Sequence, residues 1–286
     1  MSSKKAVFLI KCSDRKGLLA EITTFFYSRT FNILHCQQYT DMHESLYFMR
    51  IKLDISDLPC TRREFEEDFS RFAEQFHLEW RVYYLDRIQR MALMVSKTSH
   101  CLYDLLVHAQ DGDFQCEIPL IISNHPDLEP VADQFRVPYF YCPIRNGDKA
   151  AQEKEILDLL SKYDVDLVVL ARYMQILSND FVTRYPERII NIHHAFLPAF
   201  QGGNPYERAW ARGVKMIGAT AHYATPDLDE GPIIEQDVER ITHEAEPEDL
   251  KRIGKDIERR VLSRAVRAHL DHRIICSGRR TIVFSK

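Results

Sequence analysis

The chain shows two different rhythms of apolar and polar positions. Up to about residue 86, short apolar or alternating stretches flank two helical stripes, which predicts the order strand, helix, strand, strand, helix, strand. The second helix has a marked start, because Thr61 and Glu64 have the spacing of a capping box and phenylalanines follow at helical intervals. This βαββαβ order predicts a small α+β sandwich.

Beyond residue 90, apolar strands alternate with helical segments. The predicted strands cover 91–95, 117–123, 138–143, 166–171 and 189–193, and later ones cover 216–225, 232–241 and 280–284. A long amphipathic helix is predicted over 247–270. This alternation is typical of an α/β domain with a doubly wound, mostly parallel sheet, whose ligand lies beyond the carboxyl ends of its strands. We therefore predict two domains, 1–88 and 89–286.

The composition restricts the class of partner. The chain has 286 residues and a net charge of -4, so it offers no excess of cations for a nucleic acid. Its first apolar run, 6–10, is too short for a signal peptide, and no stretch is long enough to cross a membrane. The seven cysteines are scattered without CxxC spacing, which argues against a zinc site and a disulfide framework. We therefore expect a cytoplasmic protein without a metal, a nucleic acid or a membrane as partner.

Candidate chemistry lies at the end of the predicted strand 189–193. Side chains alternate along a strand, so Asn191 and His193 share one face and His194 is expected to face away from it. Asp229 follows in a turn-forming loop, from which a carboxylate can reach His193 and hold it charged, or can take a proton from water. Each residue type also has an ordinary structural role, as turn former or packed pair. Together, an amide, an imidazole and a carboxylate suit an oxyanion and its proton.

Three segments resemble a known enzyme fold in their order and spacing. They are ARYMQILS at 171–178, NIHHAFLPAF at 191–200 and GATAHYATPDLDEGPIIEQD at 218–237. They resemble the formyltransferase fold that uses 10-formyltetrahydrofolate, which glycinamide ribonucleotide transformylase and methionyl-tRNA formyltransferase share. The resemblance implies a catalytic set, Asn191, His193 and Asp229, with His222 as a supporting active-site histidine. It also implies substrate-binding positions at Met174, Gln175, Ile176, Leu177, Thr225 and Asp227, although simple core packing is an alternative for the apolar ones.

The first domain has its own resemblance. The segment CSDRKGL at 12–18, with Asn32-Ile33, resembles an ACT regulatory domain in its layout. This resemblance implies an amino-acid effector near Asp14, Gly17 and Asn32, and association into a homo-oligomer. The alternative is that Asp14 and Gly17 only shape a turn between a strand and a helix.

An ACT-like domain joined to a formyltransferase-like domain resembles the formyltetrahydrofolate deformylases. This implies hydrolysis of 10-formyltetrahydrofolate, a folate substrate, to tetrahydrofolate and formate, which supplies one-carbon and purine metabolism and needs no cofactor. The segment 95–100 has no glycine to cradle a phosphate, so Thr98 and Ser99 are expected to cap a helix instead. No basic extension for tRNA follows the last motif, which leaves water as the expected nucleophile. Two alternatives stay open: formyl transfer to a small amine, and an amino-acid-sensing folate-binding protein without turnover.

Overall fold

The structure, a computed structural model, describes residues 4–198 and 205–286. The last two residues of the second motif, Ala199 and Phe200, lie outside the described residues. Contacts divide the chain into two compact units. The first contains the residues up to Ile88 together with His272–Ile275 and Ile282–Lys286, and the second contains Gln89–Asp271 and Cys276–Thr281. These units share the boundary after Ile88 with the predicted domains and differ from them near the C-terminus.

The first unit is a four-stranded antiparallel sheet with two helices. Its elements are β1 (Lys5–Ser13), α1 (Leu18–Tyr27), β2 (Asn32–Asp41), β3 (Leu46–Asp54), α2 (Arg62–Gln75) and β4 (Glu79–Tyr84). The sheet order is β2-β3-β1-β4. The predicted element order is confirmed, and so is the capping box of α2, because Thr61 and Glu64 each accept a hydrogen bond from the other's backbone N–H. Phe8 of β1 packs on Phe26, Phe65 and Phe69 in the core.

The second unit is an α/β fold with a mixed sheet. Its elements begin with β5 (Gln89–Val95), α3 (His100–Gln110), β6 (Cys116–Glu117), β7 (Ile121–Ser123), α4 (Glu129–Phe135), β8 (Tyr139–Tyr141) and α5 (Lys149–Lys162). They continue with β9 (Leu167–Leu170), α6 (Asn179–Arg184), β10 (Ile189–His193), α7 (Pro205–Arg212), β11 (Met216–Tyr223), β12 (Ile233–Arg240) and α8 (Pro247–Leu270). The strand order is β12-β11-β10-β9-β5-β7-β8, with β6 beside β5. The strands from β8 to β10 pair in parallel, whereas β11 and β12 pair antiparallel.

Prolines explain where the second sheet departs from the predicted strands. The predicted strand 117–123 is two short strands, β6 and β7, because Pro119 between them has no N–H to donate to a neighbour. The predicted strand 138–143 is only β8, which lies between Pro138 and Pro143.

The sequence pattern missed a strand near the C-terminus. A hairpin of β13 (Ile274–Ser277) and β14 (Arg280–Val283) replaces the one strand predicted there. Within 4–198 and 205–286, no helix combines the length and apolar character that crossing a membrane requires.

Candidate active site

Strand β10 brings the predicted amide and imidazole to one edge of the site. It lies between β9 and β11, and its register with β11 places Asn191 directly opposite His222. Residues opposite each other across an antiparallel pair are close enough for their side chains to interact. The Asn191 Nδ2 accordingly lies 3.1 Å from the His222 Nε2.

The hydrogen bonds of His222 occupy one of the two amide hydrogens of Asn191 and leave the other free. The Nδ1 of His222 lies 3.0 Å from the carbonyl oxygen of Tyr223, so this nitrogen is the donor. In the neutral ring, Nε2 then accepts from the amide of Asn191. The amide of Asn191 has a second hydrogen, which remains available for an oxygen in the site. His222 therefore orients Asn191 as a hydrogen-bond donor.

Asp229 reaches both histidines from the loop between β11 and β12. Its Oδ2 lies 3.3 Å from the Nδ1 of His193, and its Oδ1 lies 3.7 Å from the Nε2 of His222. Burial would raise the pKa of the Asp229 carboxyl, but its interactions with His193 and His222 outweigh this effect and hold the pKa well below its usual range. The loop passes so close to β11 that a Cβ on Gly231 would lie 1.7 Å from the oxygen of Tyr223. Only glycine permits this approach.

His193 presents one ring nitrogen to a cavity. The residue is 6% exposed, and its Nδ1 is turned to Asp229. Its Nε2 is buried and has no hydrogen-bond partner among the residues that the structure describes. A buried polar atom without a partner is costly, so its presence calls for a ligand or an ordered water. His193 therefore offers an unpartnered ring nitrogen in the lining of the cavity.

The cavity has a volume of about 250 Å³ and lies beyond the carboxyl ends of β9 and β10. It is bordered by most of the predicted site residues, namely Asn191, His193, Asp229, His222, Met174, Gln175, Ile176, Leu177 and Thr225. Asp227 does not border it, because its backbone carbonyl accepts a hydrogen bond from the Thr225 hydroxyl at 3.0 Å and shapes the loop instead. His194 borders the cavity, contrary to expectation, because β10 ends at His193 and strand alternation does not extend to it.

The wall formed by Met174, Gln175, Ile176 and Leu177 is held at both ends. The Oγ of Ser96 accepts the N–H of Met174 at 2.9 Å and donates to the Oδ1 of Asn124 at 2.6 Å. At the other end, the N–H of Ser178 donates to the Oε1 of Glu153 at 2.8 Å. Met174 and Ile176 are 57% and 61% exposed, so core packing does not account for these two side chains. The wall therefore offers two exposed apolar side chains on a fixed backbone, whereas Leu177 packs against the core as the alternative predicted.

Ser96 gives the glycine-free segment after β5 a function that the sequence did not suggest. Ser99 is the N-cap residue of α3, yet its side chain makes no capping hydrogen bond, so the prediction for its hydroxyl is wrong. Ser96, by contrast, is 2% exposed and joins β5 to the cavity wall. The end of β5 therefore supports the wall.

Replacing Ser96 with alanine should raise KM for the substrate several-fold and change kcat little. The substitution leaves the N–H of Met174 without its acceptor, at a cost of about 1–3 kcal/mol, and loosens a binding surface without touching the reacting groups. Steady-state kinetics of the two variants Ser96→Ala and Ser161→Ala measure this effect. Ser161 is an exposed serine of α5 and serves as the control. An unchanged KM in Ser96→Ala would show that this hydrogen bond does not position the wall.

A second polar cluster reaches the cavity through Arg172, and sequence reasoning missed it. The carboxylate of Glu258 on α8 is 1% exposed and lies 2.8 Å from the Nε2 of His100 and 3.4 Å from the Nε of Arg172. The hydroxyl of Tyr206 donates to its other oxygen at 2.6 Å. One signal was present in the sequence, since Glu258 occupies an apolar-face position of α8, four residues before Leu262.

The same cluster contains potential metal ligands. Ligand atoms of His100, Cys101 and Glu258 lie within 4.8 Å of one another. However, the Glu258 oxygen that faces His100 also faces the guanidinium of Arg172. A second cation beside a permanently charged guanidinium is electrostatically unfavourable. The cluster is therefore better suited to an ion pair than to a metal.

The predicted effector residues lie in the first unit. The N–H of Asp14 donates to the carbonyl of Ser45 at 2.8 Å, Gly17 has a φ of 90° at the start of α1, and Asn32 begins β2. A groove of about 570 Å³ runs between α1 and α2, and its lining includes Phe25 and Phe72. None of the three predicted residues lines this groove.

Comparison with known proteins shows the family. Residues 89–266 match the family model described as formyl transferase. The chain is 50% identical over 285 residues to the formyltetrahydrofolate deformylase of Synechocystis sp., with 100% of both chains covered. The chain belongs to the formyltetrahydrofolate deformylase family. It is also 45% identical over 282 residues to the formyltetrahydrofolate deformylase of Bacillus subtilis, which covers 98% of this chain and 94% of that one.

A solved structure of this deformylase family shares the whole fold. The crystal structure of a formyltetrahydrofolate deformylase from Pseudomonas syringae pv. tomato has a TM-score of 0.95 and 40% identity. The comparison covers 100% of this chain and 96% of that chain. The resemblance of the three motifs to the formyltransferase fold is thus confirmed, and so is the resemblance of the whole chain to the formyltetrahydrofolate deformylases.

Proposed function

We propose that this chain hydrolyses 10-formyltetrahydrofolate to tetrahydrofolate and formate. The observation that carries the proposal is the buried, unpartnered Nε2 of His193 in a cavity that Asn191 and Asp229 also border. The named activity of the full-length relatives from Synechocystis and Bacillus subtilis supports the choice of substrate. The exposed apolar side chains of Met174 and Ile176 support it too, because they offer a surface for a flat ring.

In the proposed reaction, water adds to the formyl carbon and the carbon–nitrogen bond then breaks. Asn191 donates its free amide hydrogen to the oxygen of the tetrahedral intermediate. His193 takes a proton from the attacking water through Nε2 and returns it to the departing nitrogen, which leaves as the amine of tetrahydrofolate. The products are tetrahydrofolate, formate and one proton released to solvent.

Asp229 acts in this scheme by orienting His193. Burial would raise the pKa of Asp229, but the two neighbouring histidines lower it, so the carboxyl is ionised near neutral pH. Its oxygen 3.3 Å from Nδ1 fixes the ring so that Nε2 points into the cavity. It also favours the positive charge that His193 gains during the reaction.

The test is formate release in a buffer that contains no amine. Purified protein and 10-formyltetrahydrofolate should yield formate and tetrahydrofolate in equal amounts, and a chelator should leave the rate unchanged because no step uses a metal. Release of the formyl group only after a small amine is added would favour the transferase alternative. Folate binding without loss of the formyl group would favour the sensor alternative.

We further propose that the first unit is an ACT-like regulatory domain that binds a small amino acid near Asp14, Gly17 and Asn32 and joins copies of the chain. Its βαββαβ order and antiparallel sheet support this proposal. Calorimetric titration of the full chain with amino acids, together with its mass in solution, tests both parts. A cytoplasmic location is proposed as well, and the free thiols of all seven cysteines suit a reducing compartment.

A further inference from the structure

Arg172 has a backbone conformation that is unfavourable for any residue other than glycine. The residue follows β9 by two positions and has a φ of 67°, in the left-handed region where glycine is unstrained and other residues are not. Its side chain borders the cavity and is only 14% exposed. Strained backbone of this kind persists where the surroundings hold it, and it is concentrated at functional sites. Backbone preference therefore does not explain why an arginine occupies this position, and the reason has to lie in its side chain.

The counter-ion of Arg172 is shared with other donors. Glu258 lies 3.4 Å from the Nε of Arg172, while its oxygens also contact His100 at 2.8 Å and the Tyr206 hydroxyl at 2.6 Å. Burial alone would raise the pKa of Glu258, but the hydrogen bond with His100 and the charge of Arg172 lower it overall, so the carboxylate is ionised near neutral pH. The buried pair thus keeps the guanidinium at the edge of the cavity.

The guanidinium of Arg172 has donors to spare. Nη1 is buried and has no acceptor in the described ranges of the chain, and Nε has only the Glu258 oxygen at 3.4 Å, outside hydrogen-bond geometry. Arginine has five N–H donors and no acceptor, so only an electron-rich group satisfies it. Burial, and after it the charge of Arg172, lowers the pKa of the neighbouring His194 to about 4, which leaves that ring uncharged near neutral pH. Arg172 is therefore the permanent positive charge at this part of the cavity.

A small anion is the ligand that this arrangement fits. The guanidinium is planar and pairs well with a carboxylate. The proposed hydrolysis creates one small carboxylate, formate, in the cavity that His193 and Arg172 both border. We infer that Arg172 binds the carboxylate of formate after the carbon–nitrogen bond breaks, and that Glu258 positions Arg172 for this contact. This inference rests on the proposed function, because formate is a product of that reaction.

The glutamyl carboxylates of the folate are a second source of the same chemistry. They lie across the aminobenzoyl ring from the nitrogen that carries the formyl group. The apolar wall residues Met174 and Ile176 are more than half exposed, whereas Arg172 is largely buried. A buried guanidinium suits an anion released inside the cavity better than one on the outer arm of the substrate.

The test compares Arg172→Gly with a matched control, Arg136→Gly. Glycine accepts the left-handed backbone at both positions, since Arg136 has a φ of 57°, is exposed and does not border the cavity. A second variant, Arg172→Gly with Glu258→Gln, removes the buried charge that the first leaves unpaired. Arg172→Lys keeps the charge without the planar fork.

Formate inhibition of substrate turnover is the first measurement, and binding of ¹³C-formate followed by NMR line broadening is the second. We expect the inhibition and dissociation constants for formate to rise at least about 10-fold in both Arg172→Gly variants, less in Arg172→Lys, and not in Arg136→Gly. The NMR arm needs no turnover, so it tests the inference even in an inactive variant. Parental formate constants in the double variant would overturn the inference.

A parallel measurement separates the two carboxylate sources. KM is determined for 10-formyltetrahydrofolate and for 10-formyltetrahydropteroate, which lacks the glutamyl group. If Arg172 bound the glutamyl carboxylate, the substitution Arg172→Gly would raise KM only for 10-formyltetrahydrofolate and would leave the formate constants unchanged. That result would overturn the inference. Absence of formate release by the parent chain would contradict the proposed hydrolysis, whereas Arg172-dependent binding of ¹³C-formate would still be seen.

Discussion

Replacing Asp229 with asparagine should lower kcat for formate release by about 10²- to 10⁴-fold, the range of a general acid–base contribution. The carboxylate lies 3.3 Å from the Nδ1 of His193 and 3.7 Å from the Nε2 of His222. Asparagine keeps the size of the side chain but loses its charge, so it no longer favours the protonated His193 that forms when water attacks. Single-turnover and steady-state measurements of formate release record the loss.

A matched carboxylate in the same loop provides the control. Glu230 follows Asp229 directly, pairs with Arg279 and does not border the cavity. Glu230→Gln should therefore keep kcat within about 2-fold of the parent, as expected for a surface pair. If Asp229→Asn retained a similar kcat, Asp229 would not be the group that orients His193. Equal thermal unfolding midpoints in both variants would show that the fold is intact.

Replacing Asn191 with alanine should lower kcat by about 10²- to 10³-fold, the usual cost of losing one oxyanion donor, with a smaller change in KM. The amide is held by His222 at 3.1 Å, which leaves its second hydrogen for the oxygen of the intermediate. Because this donor strengthens its contact only as charge develops on the oxygen, the loss belongs to kcat.

Asn179→Ala is the control for Asn191→Ala. Asn179 is an exposed residue of the first turn of α6 and lies outside the cavity lining. Its substitution should leave kcat and KM near the parental values. A fall in KM as large as the fall in kcat in Asn191→Ala would instead mean that the residue strains the bound substrate and does not stabilise the intermediate.

The sequence predicted best those features that arise from neighbouring residues. The capping box of Thr61 and Glu64 and the alternation that pairs Asn191 with His193 need only local spacing, and the structure shows both. Asp229 was predicted as a site residue because it lies in a turn-forming loop. Local rules failed where a proline interrupts an apolar stretch. Pro119 divides one predicted strand into β6 and β7.

The buried pair of Arg172 and Glu258 could not be predicted from local sequence patterns. Arg172 and Glu258 come from a strand end and a distant helix, and their pairing depends on how α8 packs against the sheet. No periodicity signals a left-handed backbone at Arg172, because only the folded chain imposes that φ. Sequence spacing therefore found Asn191, His193 and Asp229, which border the cavity, and missed the charged residue Arg172 in the same lining.

The first unit is discontinuous in the sequence, which affects how it can be produced alone. The ring of His272 stacks on Tyr83 at 3.8 Å between ring centroids, and its carbonyl accepts the Nε of Arg50 at 2.8 Å. Near the end of the chain, the side chain of Gln37 donates to the Oγ of Ser285 at 2.7 Å. A gene fragment that stops at codon 88 omits all of these partners. A first unit that is produced alone or grafted onto another protein must therefore carry the C-terminal segments as a second piece, or join them to the fragment by a new linker.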